Sequence, residues 1–232
     1  DWHEAYEQAM EDKKKARSIK KDEQSGATVE DEGDSKRIQG ILKRRRHLVL
    51  LVQNQTGLNN LFKLVSESYQ PENFYRYPRI DYALLKKYNE GIIASSACLG
   101  GVYAGNYWEH REEGAEAVLE AMRESTRQMV DIFGDRWYAE IQWNNIKEQH
   151  ELNQYVIQVA KEFGVELVTT ADSHYPNPDA WKDRELYKRL GWLGKGRPSW
   201  AEDESQLPEG VEEIGYELYP KNGDQMWESY KQ

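Results

Sequence analysis

From residue 47 onward, short apolar runs alternate with stretches whose apolar residues recur every three or four positions, the signature of strand followed by helix. Residues 47–52 (HLVLLV) predict a buried strand. Thr56 is placed to cap a helix with Leu58, Leu61, Phe62 and Val65 on its apolar face. Residues 69–79 form an aromatic loop with two prolines, and Asp81 is placed to cap a short helix carrying Leu84, Leu85 and Tyr88. Residues 91–96 (GIIASS) predict a second strand, followed by the tight turn Cys98-Leu99-Gly100-Gly101. Residues 113–133 predict a long helix with Val118, Leu119, Met122, Met129 and Val130 inward, stopped by Gly134. Residues 137–141 predict a third strand. Residues 146–163 predict a helix built on Leu152, Val156, Val159 and Ala160 and stopped by Gly164, and residues 165–171 predict a fourth strand. Repeated strand and helix imply an α/β fold with a parallel sheet or a barrel. In barrels the reactive groups gather at the carboxyl ends of the strands, and both Cys98 and Asp172 follow such ends.

Residues 1–46 read differently. Residues 1–12 are amphipathic at best, and 13–37 mix charge runs with Ser25-Gly26 and the acidic stretch 31–35 (DEGDS). Ile19 and Val29 are the few large apolar residues there, too few for a packed core. Residues 1–46 are therefore expected to be a charged, flexible insertion or linker, with little packing across about 13–40. Lys43-Arg44-Arg45-Arg46 ends it and reads as a solvated face, with phosphate contact as the alternative.

Composition narrows the classes. The chain has 232 residues, enough for one large domain or most of one, and 31% of them are charged. A net charge of −10 argues against coating nucleic acid by broad electrostatics but leaves room for a local basic face. One cysteine, Cys98, excludes an internal disulfide and suits a reducing cytoplasm. No apolar run approaches a membrane span and no signal peptide is recognisable. Residue 1 is Asp rather than Met, which favours a piece of a longer chain.

The candidate chemistry sits in residues 168–175 (VTTADSHY), an apolar strand that ends in an Asp-x-His pair. Strand side chains alternate faces, so Asp172 and His174 are expected on one side, as a carboxylate and an imidazole for a divalent metal. The plainer alternative makes Asp172 a helix cap and His174 a surface residue. Cys98 is otherwise a small buried apolar group. His3, His110 and His150 read as surface residues. Glu140, inside a strand, either supports a neighbouring ligand or pairs with a base.

Several phrases together carry a resemblance. Residues 47–52 with Asn54 and Gly57, then Asn60-Leu61 and Lys63-Leu64-Val65-Ser66, form the first. Pro78-Arg79-Ile80-Asp81, then Gly91-Ile92-Ile93-Ala94 with Ser96-Ala97-Cys98-Leu99-Gly100-Gly101, and Thr170-Ala171-Asp172-Ser173-His174-Tyr175 follow in order. Over residues 47–190 the chain resembles the polymerase-and-histidinol-phosphatase (PHP) domain of the DNA polymerase III alpha subunits, the C-family replicative polymerases. Tyr216-Glu217-Leu218-Tyr219 with Lys221 and Met226 resembles the segment that leads from that domain toward the polymerase core, which assigns 191–232 to that segment.

The resemblance implies part of a distorted (β/α)7 barrel holding up to three metals. The matching ligand positions are His47, Cys98, Asp172 and His174, a set suited to zinc first and to manganese or iron next. His47 opens its strand rather than ending it, so its placement is the weakest geometrically. The implied activity is DNA-directed DNA polymerase in the parent, with a metal-dependent 3′–5′ exonuclease or phosphoesterase site here. The implied partners are the remaining polymerase domains, DNA through the parent, and a proofreading exonuclease subunit. The family's opening His-x-His pair and the ligands before His47 have no match, so the first strands are expected outside this chain and the site incomplete. No palm triad is present either, since Asp183, Asp203 and Asp224 lack strand contexts. A free-standing phosphoesterase of the histidinol-phosphatase kind, or a metal-free structural barrel, are the alternatives. An incomplete barrel leaves sheet edges unpaired, so the isolated chain is expected to be unstable.

Overall fold

Strand–helix alternation in the sequence becomes parallel pairing in the molecule. The computed structural model describes residues 2–19, 44–75, 77–144, 146–193 and 217–231. The helices are α1 (Trp2–Ile19), α2 (Gln55–Ser68), α3 (Tyr82–Tyr88), α4 (Val102–His110), α5 (Ala115–Phe133), α6 (Lys147–Phe163), α7 (Trp181–Leu193) and α8 (Gly223–Tyr230). The strands are β1 (Val49–Val52), β2 (Phe74–Tyr75), β3 (Tyr77–Pro78), β4 (Ile92–Ser95), β5 (Trp137–Gln142) and β6 (Glu166–Thr170). One sheet has the order β1-β4-β5-β6. β4 and β5 run parallel, with Ala94 opposite Trp137. β5 and β6 run parallel from Tyr138–Glu166 to Gln142–Thr170. β2 and β3 make a short antiparallel ribbon inside the stretch read as an aromatic loop. The chain divides into two compact units, Asp1–Arg46 with Leu50–Ile93, and His47–Val49 with Ala94–Gln232.

In the second unit the core lies against one face of β5. Trp137, Phe133, Tyr103, Met122, Val118, Val156 and Val159 are essentially closed to solvent. The stripe read from the sequence at Val118, Leu119, Met122 and Met129 is buried, as are Leu152, Val156, Val159 and Ala160 of α6. The polar atoms in this core form a relay. Trp137 Nε1 donates to Tyr103 Oη at 3.1 Å. Tyr103 Oη lies 2.9 Å from Thr126 Oγ1, and Thr126 Oγ1 in turn donates to the Met122 carbonyl at 2.7 Å. Because Thr126 spends its proton on Met122, the Tyr103 hydroxyl donates to Thr126, and no polar atom in the relay is stranded. Gly164 ends α6 in the left-handed region at φ 65°, where a side chain would be strained.

In the first unit several expectations are corrected. α2 is capped by Asn54, not Thr56: Asn54 is extended and its side chain accepts from Gly57 N at 2.9 Å. The predicted apolar face of α2 is also wrong in part. Phe62 is 61% exposed and Val65 51% exposed, while Gly57, Asn60, Leu64 and Ser68 face inward. Asn60 turns inward because its Nδ2 donates to the Glu90 carbonyl at 3.0 Å, which fixes the helix rotation on a polar residue. Asp81 does cap α3, accepting from Leu84 N at 2.8 Å. The strand expected to be buried at 47–52 is shorter and open, with Leu51 58% exposed, because among the described residues β1 lies at the edge of the sheet. α1 is longer than the amphipathic start read from the sequence. Its Ala, Glu, Gln and Lys content favours helix without an apolar stripe, and Tyr6 Oη anchors it by donating to the Pro71 carbonyl at 2.9 Å. The rest of the expected flexible stretch, residues 20–43, lies outside the described residues. α4 was missed, since its Tyr, Trp and Asn content resembles a loop. Among the described residues no helix is long and apolar enough to cross a membrane.

Truncating Met122 to alanine in the closed core should cost about 2–5 kcal/mol. Phe62→Ala on the open face should cost less than about 1 kcal/mol. Urea unfolding of the two variants against wild type measures the difference, and equal losses would mean that the buried stripe of α5 is misassigned.

Candidate metal centre

The loop after β4 is built on backbone constraints. Ser96 N donates to the Tyr138 carbonyl at 3.2 Å, Gly101 N to the Cys98 carbonyl at 2.7 Å, and Val102 N to the Ser96 carbonyl at 3.2 Å. This fold-back leaves no room at Gly101, where an added Cβ would lie 1.9 Å from the Ser96 carbonyl oxygen. At Gly100 it would lie 3.0 Å from the His47 ring. His47 is drawn to this loop by its own backbone, His47 N donating to the Gly100 carbonyl at 2.8 Å, with a parallel bridge to Gly101. Its Nδ1 stands 3.4 Å from Cys98 Sγ. The candidate weakest on sequence grounds therefore lies directly against the thiol.

The Asp-x-His pair is built differently from the expectation. β6 ends at Thr170, and Asp172 has φ 45°, so strand alternation stops before the pair and a loop positions it. His174 Nδ1 lies 2.5 Å from the Asp172 carbonyl oxygen and 4.0 Å from its Oδ1. A carbonyl only accepts, so Nδ1 is the donor; in a neutral imidazole that leaves the Nε2 lone pair free, the tautomer that suits a metal ligand. The loop is pinned from the far end of the chain, where His174 N and Tyr175 N donate to the Leu218 carbonyl at 2.7 and 3.2 Å. Leu218 N returns a bond to Tyr175 Oη at 3.1 Å, and both residues are buried.

Ala97, next to Cys98, has φ 61°, so both loops carry a non-glycine residue in the left-handed region. Such residues cost of order 1–3 kcal/mol each and persist where surrounding structure holds them. Burial pushes the Cys98 thiol above its ordinary value, the Asp172 and Glu140 carboxylates add to this, and the Gly100 N–H opposes it. Among the described residues no three His, Cys, Asp or Glu side chains converge closely enough to hold a metal ion. The four candidates instead form two pairs, His47 with Cys98 and Asp172 with His174. Their chemistry, two imidazoles, a thiol and a carboxylate, is of a kind that zinc can take. His110 pairs with Glu113 at 3.1 Å, and His150 packs edge-on against Trp143, with neither at the site. Missed in the sequence were Ser95, Gln142 and Thr170, which surround Glu140. Polar residues in consecutive strands were the available signal.

Fold and loops together define a class. The PHP domain family matches residues 4–144, more than half of the 232 residues, and the chain belongs to it. Its relatives are specific. It is 44% identical over 137 residues to the DNA polymerase III subunit alpha of Aquifex aeolicus, covering 59% of this chain and 11% of that protein. It is 34% identical over 188 residues to that of Borreliella burgdorferi, covering 81% and 15%, and 38% identical over 153 residues to that of Thermus aquaticus, covering 66% and 12%. The chain thus spans between 11% and 15% of the length of these relatives.

A raised thiol pKa means less thiolate at a given pH, with the deficit greatest around the ordinary thiol pKa. Alkylation of Cys98 by iodoacetamide in the metal-free chain should therefore have a pH midpoint above that of free cysteine. A midpoint at or below free cysteine would contradict the half-buried, carboxylate-facing placement of the thiol.

Proposed function

We propose that this chain is the PHP-domain portion of a DNA-directed DNA polymerase, a DNA polymerase III alpha subunit acting in DNA replication. Its sheet is part of a distorted seven-stranded β/α barrel that scaffolds the remaining polymerase domains. The observation that carries this reading is the 34% identity across 81% of the chain to an alpha subunit, together with a family match over residues 4–144. DNA reaches the domain through the parent protein, and a proofreading exonuclease subunit is the further partner this reading assigns. A cytoplasmic location goes with the role.

Within that domain, His47, Cys98, Asp172 and His174 are the ligands offered to a divalent metal, zinc first and manganese or iron next. A metal bound there supplies an acidified water and a Lewis acid for phosphodiester cleavage, a 3′–5′ exonuclease or phosphoesterase chemistry. The protein's own part is positional. The His47 imidazole stands beside the Cys98 sulfur, and the Asp172 carbonyl fixes the His174 proton on Nδ1. The Leu218 carbonyl holds the His174 backbone. With only two pairs in place, the fragment alone is expected to bind metal weakly and to lack appreciable nuclease activity. The absence of three converging donors among the described residues also favours a second reading, in which the domain is a metal-free scaffold.

Metal analysis of the intact parent separates the two. Asp172→Ala and His174→Ala should each lose bound metal relative to wild type, measured by inductively coupled plasma mass spectrometry after dialysis. Metal content equal to wild type in both variants would sink the ligand assignment. Primer extension by the parent protein tests the polymerase reading separately.

A further inference from the structure

Glu140 lies in the middle of β5 and is 6% exposed. Its carboxylate accepts three hydrogen bonds, from Ser95 Oγ of β4 at 2.5 Å, from Thr170 Oγ1 of β6 at 2.5 Å, and from Gln142 Nε2 at 2.8 Å. Gln142 Nε2 also reaches Thr170 Oγ1 at 3.1 Å, so that hydroxyl accepts from Gln142 and gives its own proton to Glu140. Donors converging on both oxygens are the pattern of a carboxylate rather than a carboxylic acid. A buried charge is costly and is retained where it is fully hydrogen-bonded.

Two further features direct this group toward the candidate centre. Ser95 precedes Cys98 by three residues and Thr170 precedes Asp172 by two, so the strands that Glu140 grips are those from which the two ligand loops depart. Glu140 N also donates to Ser96 Oγ at 2.8 Å, at the root of the Cys98 loop. The second feature is Gln142, 3% exposed, whose Oε1 has no partner. Its orientation is forced, because a carboxylate accepts and only the amide nitrogen can face Glu140. The oxygen is left as a buried acceptor awaiting a donor, a stranded group of the kind that native interiors seldom tolerate.

We propose that Glu140 is a positioning residue for the metal centre, a buried negative charge that raises cation affinity and holds the ends of β4 and β6 from which the Cys98 and Asp172 loops depart, with Gln142 Oε1 as an acceptor for the occupant. This rests on the metal reading given above. Partners behind a ligand shell typically change metal affinity by about 10–100-fold.

The test uses the intact parent protein and zinc alone, titrated in competition with a chromogenic chelator, with thermal melts alongside. Glu140→Gln keeps the shape and removes the charge, and the hydroxyls around it can turn to accept from the new amide. It should bind zinc about 10-fold more weakly or worse, with a melting temperature near that of wild type. A merely structural role would move the melt and not the affinity. Thr170→Val removes one donor while keeping side-chain volume, and should weaken zinc binding several-fold; it decides the matter if Glu140→Gln does not fold. Wild-type affinity in folded Glu140→Gln, or in Thr170→Val when Glu140→Gln is unfolded, overturns the proposal while Asp172→Ala still loses zinc. Undiminished zinc in Asp172→Ala instead removes the ligand assignment, and with it the role proposed for Glu140.

Discussion

A carboxylate buried in the central strand constrains the second unit more than any other single group. Glu140 is satisfied only if β4 brings Ser95 to one oxygen and β6 brings Thr170 to the other. A slip of one residue in either pairing would turn those hydroxyls to the opposite face and strand a charge in the interior. Apolar packing on the opposite face of β5 is more forgiving, since cores accept hydrophobic exchange of similar volume. The polar face therefore sets register and the apolar face supplies bulk stability. The same register decides where the loops after β4 and β6 begin.

Those loops hold Ala97 and Asp172, the two non-glycine residues with positive φ among the described residues. Both conformations need support from outside the loop. At Ala97 it comes from the Ser96 contacts and the glycine turn, and at Asp172 from the His174 contact and the Leu218 carbonyl. Strain of this kind is concentrated where geometry matters for function. Leu218 lies more than forty residues beyond His174, so a segment distant in sequence is tied structurally to the Asp-x-His loop.

The sequence was most readable where one physical cue dominated. β4, β5 and β6 were visible because each is a short apolar run bounded by turn signals, and α5 and α6 because their buried positions repeat at helical spacing. Reading failed where a polar contact outranked an apolar one. On α2 the Asn60 amide bond to the Glu90 carbonyl chose the buried face, and Phe62 and Val65 were left open. Asn54 took the cap from Thr56 because its extended backbone places the amide oxygen over Gly57 N. At the site, the residue types His47, Cys98, Asp172 and His174 were legible, but not their pairing. The meeting of His47 with Cys98 depends on backbone bonds to Gly100 and Gly101 that no periodicity encodes. The collar around Glu140 was illegible for the same reason, because its members come from three strands and acquire meaning only once the strands are in register.

The open apolar surface bears on how the chain is held. Val49, Leu51 and Val52 of β1 and Phe62, Val65 and Tyr69 on and beside α2 are all exposed. An edge strand with apolar side chains offers both unpaired backbone groups and sticky surface, which proteins ordinarily cover or blunt with charge. The chain spans only 11–15% of the length of the relatives it matches. Surface that would be a liability in a free-standing domain is ordinary in a segment read as one part of a much larger polypeptide.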